Sequence, residues 1–163
     1  MAVQPQKMKT LCLMQILIQR TDEKHMMTAN DLAAALQEYG FKAERKSIYA
    51  DVEALQQFGL DIVQQKGSNP GYYVASRTFE LPELKLLVDA VQSSKFITAR
   101  KSAELIRKLE SMTSKYEAQQ LQRDVFIYNR PKTENETIYY NVDQIHCALH
   151  CNAKISFQYA EWT

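Results

Sequence analysis

The stretch that decides the fold spans residues 28–75 and opens with Thr28-Ala-Asn-Asp-Leu-Ala-Ala-Ala-Leu-Gln-Glu-Tyr-Gly40. Thr28 is placed to cap the free N–H groups of a helix, and Gly40 can adopt the left-handed conformation that ends one. A second helical segment follows and also ends at glycine: Glu44-Arg-Lys-Ser-Ile-Tyr-Ala-Asp-Val-Glu-Ala-Leu-Gln-Gln-Phe-Gly59. Two short helices joined by a brief turn predict a helix-turn-helix unit.

The second of these helices has one apolar side and one polar side. At 100° per residue, Ile48, Val52 and Leu55 stack on the same side. The opposite side carries four residues: Lys46, Ala50, Glu53 and Gln57. We therefore expect one face to pack in a core and the other to be offered to a ligand.

A hairpin pattern follows Gly59. Leu60-Asp-Ile-Val-Gln-Gln65 and Tyr72-Tyr-Val-Ala75 are rich in β-branched and aromatic residues, and they flank the turn segment Lys66-Gly-Ser-Asn-Pro-Gly71. Two helices followed by a hairpin predict a winged helix-turn-helix, whose wing is the hairpin tip. An ordinary helical hairpin and β-ribbon without a nucleic-acid role is the alternative.

A winged helix-turn-helix points to double-stranded DNA as the partner, because a helix in the major groove reads base edges with its outward side chains. Nine residues are candidates for DNA binding: Lys46, Ser47 and Tyr49 nearest the bases, Lys42 and Arg45 nearest the phosphates, Lys66, Ser68 and Asn69 on the wing, and Thr28 at the start of the first helix.

The charge of the chain gives no general nucleic-acid signature. The 163 residues carry 20 Lys and Arg against 19 Asp and Glu, a net charge of +1, and residues 1–76 contain eight of each sign. A DNA-binding surface must then be a local patch, and the basic residues group as Lys7/Lys9, Lys42/Arg45/Lys46 and Lys66. So few surplus cations predict weak binding by one monomer and favour a homodimer.

Several separated motifs resemble, in the same order, the bacterial WYL-domain transcriptional regulators. These motifs are Thr21-Asp-Glu-Lys-His-Met-Met-Thr28, Glu44 to Leu55, Gly71-Tyr-Tyr-Val74, Phe79-Glu-Leu-Pro-Glu-Leu84, Leu87-Val-Asp-Ala-Val91, Ser94-Lys-Phe-Ile97 and Ile155-Ser-Phe-Gln-Tyr159. The resemblance implies a homodimeric transcription regulator with an effector domain whose ligand is unknown. Ala50 departs from the family, which often has Arg there, and the Trp-Tyr-Leu tripeptide is absent from the sequence.

The resemblance and the patterns together predict an α+β fold in three parts. Residues 1–78 are expected to form the winged helix-turn-helix, residues 79–123 a helical connector, and residues 124–163 the start of a small β-rich WYL-type domain, as in a truncated polypeptide. The first helix should bury a stripe of five residues: Met8, Leu11, Cys12, Gln15 and Ile18.

The connector is expected to contain helices with apolar faces, one bearing Leu84, Leu87, Val88 and Val91 and the next bearing Leu105, Ile106, Leu109 and Met112. They form either a compact packing element or a dimer surface. Beyond them, residues 124–130 predict a strand, 131–136 a polar loop, 139–151 a helix with Val142, Ile145 and Leu149 facing inward, and 154–160 a further strand.

Other functions find little support in the sequence. His146, Cys147, His150 and Cys151 form two i, i+4 pairs, but a structural zinc site usually needs four ligands, so we expect no metal and no cofactor. Cys12 lies in an apolar helix, and no glycine-rich phosphate loop or nucleophile elbow accompanies any Ser or Cys, so we expect no enzymatic activity. His25 is expected to pack or hydrogen-bond locally in its loop.

The apolar run at 11–18 is too short to cross a bilayer, which with the absence of a signal sequence predicts a cytoplasmic protein. The main alternative function is a protein-interaction module with a winged fold that no longer binds DNA.

Overall fold

A computed structural model describes residues 5–67, 70–123 and 132–157 of the protein. In these ranges the chain is α+β and rich in helix. The elements in chain order are α1 (Pro5–Arg20), α2 (Ala29–Glu38), α3 (Arg45–Phe58), β1 (Ile62–Gln65), β2 (Gly71–Val74), α4 (Leu81–Ser93), α5 (Ala99–Glu110), α6 (Lys115–Arg123) and α7 (Thr137–His150).

The ends of α2 and α3 follow from their flanking residues. The Thr28 hydroxyl accepts a hydrogen bond from the Asp31 N–H at 3.2 Å, and the Asp31 carboxylate accepts one from the Thr28 N–H at 2.8 Å, which forms a capping box. Gly40 and Gly59 follow the two helices with φ values of +82° and +110°, in the left-handed region that glycine tolerates. These helix ends are as the sequence predicts.

The hairpin is an antiparallel pair in which Ile62 lies opposite Val74 and Gln65 lies opposite Gly71. Met27, just before α2, extends this pairing by exchanging two backbone hydrogen bonds with Tyr72, at 3.1 and 2.8 Å. Gly71 is required at this crossing, since a Cβ atom added to it would lie 2.7 Å from the Cβ atom of Met26. The hairpin is thereby tied to the start of α2.

One hydrophobic core joins α1, α2, α3 and the hairpin. The buried residues of α1 include Leu13, Ile16 and Leu17. The stripe predicted for α1 is therefore wrong at Met8 and Leu11, which are exposed by 38% and 51%. Gln15 is also exposed, while Cys12 and Ile18 are half-buried. Residues 11–18 are apolar on several sides of the helix, so the packing of α2 and α3 selects the face.

Helices α4, α5 and α6 pack on one another. Leu84 and Val88 of α4 are fully buried, as is Leu121 of α6. Pro82 lies in the first turn of α4, and the Thr98 hydroxyl caps α5 by accepting from the Lys101 N–H at 3.2 Å. The other residues of the two predicted apolar faces are less buried. All of them except Ile106 line an open groove of about 440 Å³ between α4 and α5, namely Leu87, Val91, Leu105, Leu109 and Met112.

The loop between α1 and α2 joins the first core to α6. Asp22 is buried, and its Oδ2 atom accepts a hydrogen bond from the Ser114 hydroxyl at 2.6 Å. Its Oδ1 atom accepts from the backbone N–H groups of Lys24 and His25, at 3.0 and 2.9 Å. Arg77 donates to the Thr21 carbonyl at 2.6 Å and adds a further link.

The predictions for the last segment are only partly met. The predicted helix is present as α7, but Val142, Ile145 and Leu149 do not face inward, since they are exposed by 43%, 44% and 69%. No described element covers this face. Residues 154–157 form no strand, while 158–160 and the predicted strand at 124–130 lie outside the described residues.

Candidate nucleic-acid interface

The two faces of α3 are divided as the sequence predicts. Ile48, Val52 and Leu55 are buried against α1, α2 and the hairpin. The exposed residues of the helix include all four members of the predicted outward face: Lys46, Ala50, Glu53 and Gln57. The start of α3 also exposes Arg45 and Tyr49, so cationic and aromatic side chains meet the solvent along its first two turns.

A groove of about 300 Å³ lies between the first turn of α3, the start of α2 and the hairpin. Its lining includes Thr28, Asn30, Arg45, Tyr49, Lys66 and Tyr72. Four of the nine predicted DNA-binding residues therefore lie around one groove. Within the described part of its wall, the groove has two cationic side chains and no carboxylate, in contrast to the balanced charge of residues 1–76.

Arg45 and Tyr49 form a pair at the edge of this groove. The Arg45 Nε atom donates a hydrogen bond to the Tyr49 hydroxyl at 3.0 Å, and the guanidinium carbon lies 6.0 Å from the centre of the Tyr49 ring. This contact uses Nε and leaves the two terminal nitrogens of the guanidinium for an acceptor such as a phosphate or a base edge.

Tyr72 forms the floor of the groove, with its ring centre 6.5 Å from that of Tyr49. Burial and the neighbouring Tyr49 raise the pKa of Tyr72 above its usual value. A tyrosine hydroxyl is protonated at neutral pH in any case, and this shift moves its ionisation further from neutrality, so the group can donate a hydrogen bond. Tyr72 was not among the nine candidates, because its alternation in a β-strand favours an assignment to the core.

The other predicted residues are placed less uniformly. Lys42 and Lys46 are exposed but do not line the groove, and Lys66 lies where the wing begins. The Thr28 hydroxyl donates to Asp31 at 2.7 Å, so a phosphate could be held there only by neighbouring backbone N–H groups. Ser68 and Asn69 lie outside the described residues.

Ser47 faces α1 rather than the groove. Its hydroxyl oxygen accepts a hydrogen bond from the Lys9 ammonium group. The expected grouping of Lys7 with Lys9 as a basic patch is wrong, because Lys9 is only 5% exposed and its Nζ atom lies 2.7 Å from Asp51 Oδ2. A base contact by Ser47 would have to use the remaining donor of its hydroxyl.

Sequence reasoning missed the Lys9 and Asp51 pair, because spacing places Asp51 on the apolar side of its helix, whereas the buried side of α1 is known only from the structure. Lys9 precedes the buried Leu13 by four residues, and Asp51 precedes the buried Leu55 by four. Each charge thus occupies a core-facing position on its own helix. Opposite charges at core positions of two adjacent helices indicate a buried pair, because an isolated buried charge is strongly disfavoured.

His25 contacts a residue of its own loop, as expected, and its ring also packs against α6. Its Nδ1 atom lies 2.7 Å from Asp22 Oδ1, and its ring stacks on Tyr116 of α6 with a centroid distance of 3.6 Å. Among the residues that the structure describes, no group of three or more potential ligands is arranged to hold a metal ion. The thiols of Cys147 and Cys151 are free and exposed on α7.

Comparisons with known proteins found no match: no family model, no curated protein and no solved structure is significantly similar to this chain. Among the described helices, none combines the length and the apolar character needed to cross a bilayer.

Proposed function

We propose that this protein is a sequence-specific DNA-binding transcription regulator of the winged helix-turn-helix type. In this proposal α3 enters the major groove, and the β1–β2 hairpin serves as the wing on the DNA backbone. The observation that carries the proposal is the groove between α2, α3 and the hairpin, which is lined by Arg45, Tyr49 and Lys66. Among the described residues that line this groove, none is an aspartate or a glutamate.

In this proposal four candidates on and just before α3 divide between bases and phosphates. Lys46 and Tyr49 lie where base edges would be read, and Arg45 and Lys42 lie where phosphates would be held. The hairpin is fixed relative to α2 by the Met27 and Tyr72 backbone pairing, so the wing and α3 can engage one duplex as a single surface.

The wider biological setting is also a proposal. The motifs shared with WYL-domain regulators favour a bacterial, cytoplasmic protein that acts as a homodimer under the control of an effector. A near-neutral monomer gains little from phosphate attraction, so two half-sites bound together would supply the affinity that one lacks.

Binding-site selection from a random duplex library tests the proposal, followed by fluorescence anisotropy on the selected duplex over a salt series. Replacing both Arg45 and Lys46 with Ala should weaken binding and lower the log–log salt slope by about one for each lost phosphate contact. The matched control replaces Lys95 and Arg107 with Ala, which removes two exposed cations outside α3 and the hairpin.

The control variant should bind as the wild type does. If the library yields no enriched duplex, or if both double variants bind alike with intact circular dichroism, the proposed function is wrong. In that event the open apolar groove between α4 and α5 favours a protein-interaction module instead.

A further inference from the structure

A buried polar cluster lies on the inner side of α3, opposite its exposed face. Lys9 and Asp51 are 5% and 6% exposed, with the Lys9 Nζ atom 2.7 Å from Asp51 Oδ2. The same ammonium group donates to the Ser47 hydroxyl, and the Thr10 hydroxyl donates to Asp51 Oδ1 at 3.0 Å. Two adjacent residues of α1 thus hold two residues of α3.

Stability alone does not explain such a cluster. Taking two charges out of water costs about as much as their attraction returns, so apolar residues of similar size often stabilise a core equally well. Hydrophobic contacts, however, are non-directional and tolerate small rotations, whereas an ammonium group that must meet two oxygens has few allowed positions. The cluster is therefore better suited to fixing geometry than to adding stability.

The two contacts of Lys9 restrict both the rotation of α3 about its own axis and its sliding along that axis. Ser47 and Asp51 are four residues apart and lie one above the other on the same side of the helix. A single Nζ atom held between them opposes rotation of α3 about its axis and sliding along it. Each anchor directly follows an outward residue, since Lys46 precedes Ser47 and Ala50 precedes Asp51.

We infer that Lys9 and Asp51 are positioning residues that set the angle at which α3 presents its outer face, and so determine sequence specificity without touching DNA. The inference rests on the proposed DNA-binding function. With a helix radius of about 5–6 Å, a rotation of about 20° moves side-chain tips by roughly 2 Å. Direct hydrogen bonds to bases tolerate only a few tenths of an ångström.

The test replaces the pair with apolar residues of similar size, Lys9→Met together with Asp51→Leu, so that no unpaired charge is left buried. The matched control is Arg20→Met with Glu38→Leu, which removes the more exposed 2.7 Å ion pair between α1 and α2. Anisotropy compares the selected duplex with a scrambled duplex of equal length, and urea unfolding measures stability.

The core variant should remain folded and bind the scrambled duplex as the wild type does, with an unchanged salt slope. Its preference for the selected duplex should fall by about tenfold or more, the size expected when a base contact is lost. The control should keep the wild-type preference. Should the core variant fail to fold, Thr10→Val removes one hydrogen bond of the cluster, and a fall in preference of about threefold is expected.

An unchanged preference in a folded core variant overturns the inference, as does a salt slope lowered by about one, which would make Lys9 a phosphate contact. If the wild-type protein selects no duplex, the proposed function is wrong and hydrogen exchange decides this inference separately. The amides of α3 should then exchange faster in the core variant than in the wild type, while those of α2 exchange at the wild-type rate. If the exchange rates of the two helices change equally, the inference is wrong.

Discussion

Ala50 is exposed in the middle of the outward face of α3 and offers only a methyl group to a ligand. On the proposed orientation it lies one turn beyond Lys46 on the same face, where a longer side chain with paired donors could reach guanine. The neighbouring Tyr49 hydroxyl accepts a hydrogen bond from Arg45 Nε, and only the two terminal nitrogens of Arg45 remain for a ligand. At the scale of the residue, then, the proposed base readout would depend on few direct donors.

Replacing Ala50 with Arg should raise the affinity for DNA and add a preference for guanine at one position of the selected site. A bidentate contact of this kind is worth about 1–3 kcal/mol. Site selection with both proteins measures the change. Ala103→Arg adds the same charge on α5 and should leave the selected sequence unaltered. Identical motifs for wild type and Ala50→Arg would mean that residue 50 does not face the bases.

At the scale of the element, α3 and α1 differ in how well their sequences predict their buried faces. In α3 the three apolar residues fall on one side and leave no competing stripe, so Ile48, Val52 and Leu55 are predicted correctly. In α1 several apolar stripes compete. The buried stripe contains Lys9, although lysine is rarely buried unless it is paired and is therefore expected at the surface. Only its tertiary partner Asp51 allows that face to be buried, and this partner is not visible from α1 itself.

The candidate site shows the same division. The α3 residues Arg45 and Tyr49 could be predicted from their place near the start of the helix, as could Thr28 from its capping position. Tyr72 could not, because its place on the floor of the groove depends on how the hairpin crosses the chain at Met27. Local periodicity thus identifies which side chains are exposed, whereas long-range pairing decides which of them lie around the same groove.

The junction between the α1–α2 loop and α6 makes stability depend on pH. Burial raises the pKa of Asp22, but hydrogen bonds from Ser114, His25 and the Lys24 N–H outweigh it, and the pKa lies below its usual value. A carboxyl whose pKa is lowered by folding stabilises the folded state above its unfolded pKa, near 4. That contribution is lost as the pH falls through the lower folded value.

Replacing Asp22 with Asn should lower the free energy of unfolding by about 1–3 kcal/mol at pH 7, the cost of weakening a buried hydrogen-bond network. The deficit should shrink as the pH falls below about 4. Urea unfolding from pH 7 to pH 3 measures it. Asp61→Asn is the matched control, since Asp61 accepts from Ser76 at the same 2.6 Å but on the surface. A constant deficit at every pH would contradict the assignment.

At the scale of the whole molecule, the described chain exposes more apolar surface away from α3 than on it. The groove between α4 and α5 is open, and the outer face of α7 presents Val142, Ile145 and Leu149 to solvent. Exposed apolar surface of this kind is typical of association sites. Both surfaces are compatible with the proposed homodimer, and a surface substitution can tell them apart.

We expect a homodimer at micromolar concentration, with the α4–α5 groove at its interface. Leu87→Lys should weaken dimerisation in sedimentation equilibrium by placing a charge in an apolar contact, about tenfold or more if the contact is central. Leu86→Lys is the control, because Leu86 is exposed on α4 but does not line the groove. A wild-type monomer at all concentrations contradicts the dimer, and a defect confined to Leu149→Lys moves the interface to α7.

The hydrogen bond between Asp22 and Ser114 spans 92 residues of sequence, and this separation has a consequence for synthesis. Asp22 leaves the ribosome long before Ser114 has been translated, so in the nascent α1–α2 loop its Oδ1 atom can already accept from the N–H groups of Lys24 and His25, whereas its Oδ2 atom is left to water. Contacts of such long sequence separation form late, after the local helices and the hairpin. The core of α1, α2, α3 and the hairpin can therefore form during synthesis, before α6 docks onto the α1–α2 loop.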